Sequence, residues 1–176
     1  ELSCEEASVD PDQFVDVDAT PLLDGDRVYA ASFSGGLYGL RAQDGEVLWH
    51  TLVDGTGALA MGSGKLYAMS SREGLAAVSL QGNLLWRQGL PDAGDLTEPA
   101  EIGPYIVFSG SRQGLFIVER ATGKLLQIFD PARGMCAAPT VDREGRAPAC
   151  RVVGGTSASW WTCPSPGGRS ATPRTC

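Results

Sequence analysis

The chain has 176 residues, 43% of them apolar, with 23 glycines and 11 prolines, which suits one ordinary core cut by many tight turns. A formal charge of −7 without a basic patch excludes a nucleic-acid backbone as partner. No window approaches the roughly 20 apolar residues of a membrane-spanning helix. The chain starts at Glu1, has its first methionine at Met61 and shows no secretory apolar run before Cys4, and so is read as a piece of a longer product.

Residues 1–13 read as the end of a preceding linker or unit. From residue 14 to 145 the chain repeats itself, in units spanning about 14–54, 55–92 and 93–133, with a fourth begun at 134–145. The unit starting at Arg27 reads "RVYAASFSGGLYGLRAQDGEVLWHTL". Its successors read "KLYAMSSREGLAAVSLQGNLLWRQGL" from Lys65 and "YIVFSGSRQGLFIVERATGKLLQIFD" from Tyr105. Three Gly-Leu pairs recur, at Gly36–Leu37, Gly74–Leu75 and Gly114–Leu115, as do the turn glycines Gly45, Gly82 and Gly123. Trp49 and Trp86 share a slot that Gln127 fills in the third unit, and Pro21, Pro99 and Pro139 mark unit openings.

Each unit predicts four short strands. In the first these are "PLLD", "RVYAAS", "GLYGLRA" and "EVLWHTLV", separated by Asp24-Gly25, Gly35-Gly36 and Asp44-Gly45. Asp-Gly supplies the positive φ of tight hairpins, so consecutive strands should pair antiparallel. Val, Leu, Tyr, Phe and Trp at strand positions favour a half-buried pleated surface, and no run has the spacing of a helix. One four-stranded sheet per roughly 40 residues is the signature of a β-propeller blade. The expected fold is therefore all-β, a partial propeller of about three four-stranded antiparallel blades. A single blade cannot bury both faces, so neighbours must supply the core. Trp49 and Trp86, just after a turn, are expected to wedge between adjacent sheets rather than to stack on a ligand.

The phrases "LRAQDGEVLW", "VSLQGNLLW" and "VERATGKLLQ" resemble the repeat of PQQ-like (pyrroloquinoline-quinone-type) propellers. The opening "VDVDATPLLDGDRVYAASFSGGLYGL" resembles the C-terminal half of the BamB family of outer-membrane assembly lipoproteins, a resemblance covering about residues 14–145. It implies a non-enzymatic interaction scaffold on the periplasmic side of the outer membrane. The implied protein partner is the BamA-like assembly machinery, and the full-length form would be lipid-anchored. No partner-contact residue is carried over. Two other readings stay open: a fragment of a PQQ-dependent dehydrogenase, and a PQQ-repeat sensor domain of a signalling protein.

No catalytic, cofactor-binding or metal residue is expected. Quinoprotein chemistry requires Ca²⁺ on hard oxygen ligands, an Asp base and, in many members, adjacent cysteines. Asp16, Asp18, Glu98 and Asp142 lie near unit openings but in different slots, and Thr20, Glu98 and Ala138, which precede the prolines, share no chemistry. His50 is the only histidine and lacks partners for base or zinc chemistry; strand alternation points it away from Trp49. "GTGALAMGSG" (55–64) contains Gly-x-Gly without a following helix and is read as a turn. Five cysteines (Cys4, Cys136, Cys150, Cys163, Cys176) cannot all pair within the chain, and they form no Cys-x-x-Cys.

The tail from residue 146 to 176 departs from the rest. "RAPACRVVGGTSASWWTCPSPGGRSATPRTC" has no Leu, Ile, Phe, Tyr, Met, Lys, Asp or Glu, and the charge balance turns positive near Arg143. Back-translation starting at the third base of each codon recovers a strand phrase in which Trp160 and Trp161 become Val-Asp. The tail is thus read as aberrant through a shifted reading frame, against the alternative of a disordered Pro/Gly/Ser/Arg tail, and no function is assigned to Trp160 or Trp161. The open strand edges of such an arc predict a chain of marginal solubility.

Overall fold

The structure, a computed structural model, describes residues 19–90, 92–130, 139–141, 148–151 and 160–162. The first sheet holds β1 (Leu22–Asp24), β2 (Arg27–Ser32), β3 (Gly36–Arg41) and β4 (Val47–Thr51). The second holds β5 (Thr56–Gly62), β6 (Lys65–Ser70), β7 (Gly74–Ser79) and β8 (Leu84–Gln88), and the third β9 (Ala100–Ile102), β10 (Tyr105–Gly110), β11 (Gly114–Glu119) and β12 (Leu125–Phe129). Within each sheet the strands lie in chain order, every pair antiparallel. The chain is all-β, an arc of a propeller, as its repeat predicts.

Two features go beyond the sequence reading. Residues 55–64, read as a turn, contain β5, the longest strand of its sheet. Backbone pairing with β6 from Thr56↔Ser70 to Gly62↔Lys65 overrides the weak strand preference of Gly and Ala, and only Ser63-Gly64 makes the turn. The tail, moreover, contributes strands. A fourth sheet pairs β13 (Thr140–Val141), β14 (Pro148–Arg151) and β15 (Trp160–Thr162), again in chain order, with β13 beside β9. Residues 1–18, Ala138 and Asp142, and every cysteine except Cys150, lie outside the described residues.

Strand alternation gives each sheet two faces, and successive sheets pack unlike faces together. Tyr29, Ala31 and Leu37 of the first sheet meet Leu66, Ala68, Ala76 and Val78 of the second. Tyr67, Met69, Leu75 and Ala77 on the reverse of the second meet Ile106, Phe108, Phe116 and Val118 of the third. In the second and third sheets both faces of the middle strands are buried, and β6, β7, β10 and β11 are apolar nearly throughout.

The tryptophans close these joints. In the first sheet Tyr29, Gly39 and Trp49 form a row across β2, β3 and β4; in the second the row is Tyr67, Ala77 and Trp86, and in the third Val107, Ile117 and Gln127. Trp49 reaches onto the next sheet, where its Nε1–H donates to the Leu80 carbonyl at 3.1 Å. Trp86 repeats this with the Arg120 carbonyl at 3.2 Å. The indoles lie on the turn glycines: a Cβ on Gly82 would sit 2.6 Å from Trp49, and one on Gly123 would sit 2.3 Å from Trp86. The wedge expected from sequence is present at both positions. Each ring removes on the order of 200 Å² from water while its N–H stays satisfied.

A polar clamp joins the second and third sheets. Arg120 donates to Ser63 Oγ at 2.8 Å and pairs with Glu101, which also accepts from Ser63 and, at 3.5 Å, from the Tyr67 hydroxyl. Burial, assisted by the Glu101 carboxylate, pushes the Tyr67 hydroxyl from its ordinary value of 10.0 up to about 12. The fold thus favours the neutral phenol, and this contribution to stability is complete below pH 10 and lost as pH rises toward 12. Melting temperatures measured between pH 9 and 12 should therefore fall more steeply for the native chain than for Tyr67→Phe. Parallel curves would show that Tyr67 is not the group responsible.

Candidate functional site

In an up-down-up-down sheet, the β2–β3, β6–β7 and β10–β11 turns share one end of the stack with the connections between sheets. The backbone locks them together: Gly55 N–H donates to the Phe33 carbonyl at 2.7 Å, and Ser71 N–H to the Gly55 carbonyl at 3.1 Å. Gly55 has φ +73°, and a Cβ there would lie 3.0 Å from Arg72 Cγ, so glycine lets the Arg72 side chain cross the connection.

Beneath these turns lies a groove of about 250 Å³ lined by Phe33, Gly55, Gly57, Met69, Ser71, Asp95 and Leu96. A second depression of about 300 Å³ shares Ser71 and Asp95 and continues over Leu90, Asp92, Ala93, Gly94 and Arg112. Its wall is tied by hydrogen bonds: Asp95 N–H donates to Ser111 Oγ at 2.9 Å, Ser111 N–H to the Asp95 carbonyl at 2.9 Å, and Arg112 N–H to the Ala93 carbonyl at 3.1 Å. Asp92 holds the bend with φ +58°, unusual for a residue with a side chain.

Charge gathers at the rim. Arg72 grips Asp54 through contacts of 2.9 and 2.7 Å, with its guanidinium 5.0 Å from the Phe33 ring centre. Arg87 pairs with Glu73 at 2.9 Å. The Arg72–Asp54 pair is exposed on both sides and contributes at most about 1 kcal/mol, so it shapes the rim more than it holds the fold. An apolar floor of Phe33, Met69 and Leu96 under carboxylates and guanidiniums suits a peptide segment with mixed side chains.

The residues singled out from sequence do not assemble here. Glu98 is exposed in the connection before β9, and Asp16, Asp18 and Asp142 lie outside the described residues. His50 is exposed, stacks on Tyr38 at 4.4 Å and places Nε2 2.5 Å from the Gly35 carbonyl. Among the described residues no three His, Cys, Asp or Glu side chains are grouped to hold a metal ion, and no helix is long and apolar enough to cross a membrane. The groove residues escaped the sequence reading. Their one signal is the Ser-Arg pair before Gly-Leu, at Ser71–Arg72 and again at Ser111–Arg112.

Residues 5–129 match the family model described as outer membrane protein assembly factor BamB. A relative of that name from Shewanella oneidensis is 26% identical over 131 residues, covering 73% of this chain and 33% of its own length. The chain spans about a third of the length of the curated relatives it matches. The crystal structure of BamB from Moraxella catarrhalis superposes with a TM-score of 0.64 at 24% identity, covering 78% of this chain and 42% of that one. A quinohemoprotein alcohol dehydrogenase from Comamonas testosteroni superposes with a TM-score of 0.58 at 15% identity, covering 78% and 29%.

Proposed function

The chain belongs to the outer membrane protein assembly factor BamB family, and on that footing we propose that it is part of a non-enzymatic scaffold of the cell envelope. In this reading it contacts a BamA-like partner on the periplasmic side and assists assembly of outer-membrane β-barrel proteins. The observation that carries it is the family match over residues 5–129, which takes in all three complete sheets and the groove between their turns. A rigid stack presenting variable turns over an ordered groove is how a repeat protein binds another protein.

The test is binding of the purified chain to the periplasmic region of a BamA-like protein, followed by interferometry. Binding is expected at about 10 μM or below. The pair Phe33→Ala and Asp95→Lys should weaken it roughly tenfold, with unchanged melting of the chain. Full-strength binding by that variant would remove the groove from the contact, and no binding by the native chain would sink the scaffold reading.

The superposition on a quinohemoprotein dehydrogenase motivates a second reading, a piece of a quinone-dependent enzyme. The described residues do not fit a quinone–calcium site, because no three acidic or other metal-ligating side chains are grouped. A quinone- and Ca²⁺-dependent rise in melting temperature would revive that reading.

A further inference from the structure

The guanidinium of Arg112 is left open by the fold. Arg41, Arg72, Arg87 and Arg120 each pair with a carboxylate, and Arg27 donates to the Leu80 carbonyl. Among the described residues Arg112 has neither an ion pair nor a side-chain hydrogen bond. It is exposed and lines the second depression.

The repeat shows what is missing. Arg72 and Arg112 stand two residues before Gly74 and Gly114, at the same point of their turns. Their stems cross left-handed glycines alike: a Cβ on Gly55 would lie 3.0 Å from Arg72 Cγ, and one on Gly94 2.9 Å from Arg112 Cγ. The serine before each arginine donates its N–H to the connection between sheets. Ser71 reaches the Gly55 carbonyl at 3.1 Å, and Ser111 the Asp95 carbonyl at 2.9 Å. The residue preceding the first carbonyl is Asp54, whose carboxylate grips Arg72. The residue preceding the second is Gly94, which has no side chain to offer. Gln113 takes the slot of Glu73, so the third turn carries no carboxylate of its own either.

The walls of the depression select among anions. Asp92 and Asp95 line it, and among the described residues neither pairs with Arg112. Two fixed carboxylates oppose a dianionic phosphate more than a single carboxylate, and they favour a cation beside it. A carboxylate also matches the planar fork of a guanidinium with two parallel hydrogen bonds.

We propose that Arg112 receives an acidic side chain from an extended segment of a partner protein. The partner thereby supplies from outside the carboxylate that Asp54 supplies to Arg72 within the chain. A basic side chain beside that acid lies against Asp92 or Asp95. The inference rests on the scaffold reading and adds to it the chemistry by which the partner is chosen.

The test needs no prior choice of partner. A random peptide library displayed on phage is selected on the immobilised full chain, and enriched peptides are synthesised with both ends blocked. They are then titrated by fluorescence polarisation against the native chain, Arg112→Gln, Arg112→Lys and Lys124→Gln. Lys124 is exposed in the turn between β11 and β12, at the opposite end of the stack, so its loss changes the net charge equally but far from the depression. Enriched peptides should carry Asp or Glu close to Lys or Arg. Arg112→Gln should weaken them about tenfold and Arg112→Lys about threefold, with melting of the chain unchanged. Lys124→Gln should weaken them by no more than about twofold. Changing the acid of the peptide to its amide should cost the native chain the same factor of about ten, and cost Arg112→Gln nothing further. Enriched peptides without an acid, a selection that enriches nothing, or equal losses for Arg112→Gln and Lys124→Gln would overturn the proposal. Acid-dependent peptide binding without binding to the BamA-like protein would sink that choice of partner and keep the Arg112 contact. The reverse outcome would keep the scaffold and overturn the contact.

Discussion

Trp86→Ala is expected to lower the unfolding free energy by roughly 3 kcal/mol, measured by urea titration, with Trp49→Ala close behind. The indole of Trp86 lies between two sheets, near the Tyr67 ring at 6.3 Å, and covers the Gly123 turn. Its loss removes apolar contact from the second sheet, opens the third sheet's turn and leaves the Arg120 carbonyl without its 3.2 Å donor. Trp86→Phe keeps much of the area but not the N–H, and should recover about half of the loss, the remainder being the value of the hydrogen bond. A loss below about 1 kcal/mol for Trp86→Ala would mean that the sheets hold together by their middle strands alone.

Gly74→Ala should cost about as much for a different reason. Gly74 begins β7 with φ +86°, and a Cβ there would stand 2.2 Å from the Gln88 carbonyl oxygen and 2.8 Å from Leu90 N. Both contacts are backbone, so no side chain can swing away. Left-handed strain and displacement of the β8 end together are worth roughly 3 kcal/mol. Gly36 meets the Thr51 carbonyl at 2.6 Å with φ +84° and should behave alike, whereas Gly25, equally left-handed but open, should cost only the strain of about 1 kcal/mol. If Gly25→Ala and Gly74→Ala proved equal, the close approach of the fourth strand would carry no weight.

These glycines explain which parts of the fold were legible in the sequence. Gly36, Gly74 and Gly114 recur because each strand pair needs the same φ, and the leucine after each is fully buried. Trp49 and Trp86 recur because each joint needs the same wedge. Periodicity therefore reveals what every unit must repeat. β5 stayed hidden because Thr-Gly-Ala-Leu-Ala-Met-Gly has little strand preference of its own and is held by its pairing with β6. The groove stayed hidden for the opposite reason. Phe33, Met69 and Asp95 come from different slots of different units, and only the stacking of three sheets brings them together. Ser71–Arg72 and Ser111–Arg112 look like one more element of the repeat, yet Arg72 closes on Asp54 while Arg112 lines the second depression.

The joint between sheets is made of an indole, a carbonyl and a glycine, all written within one unit and the next. Nothing in it refers to position along the chain. A duplicated stretch of DNA encoding one whole unit thus brings its own donor and its own acceptor, and the copy fits between its parents without redesign of either. Loss of a unit heals by the same rule. Propellers assembled this way are free to change their number of blades during evolution in whole steps, while the turns at their ends diverge one at a time under selection by whatever they touch.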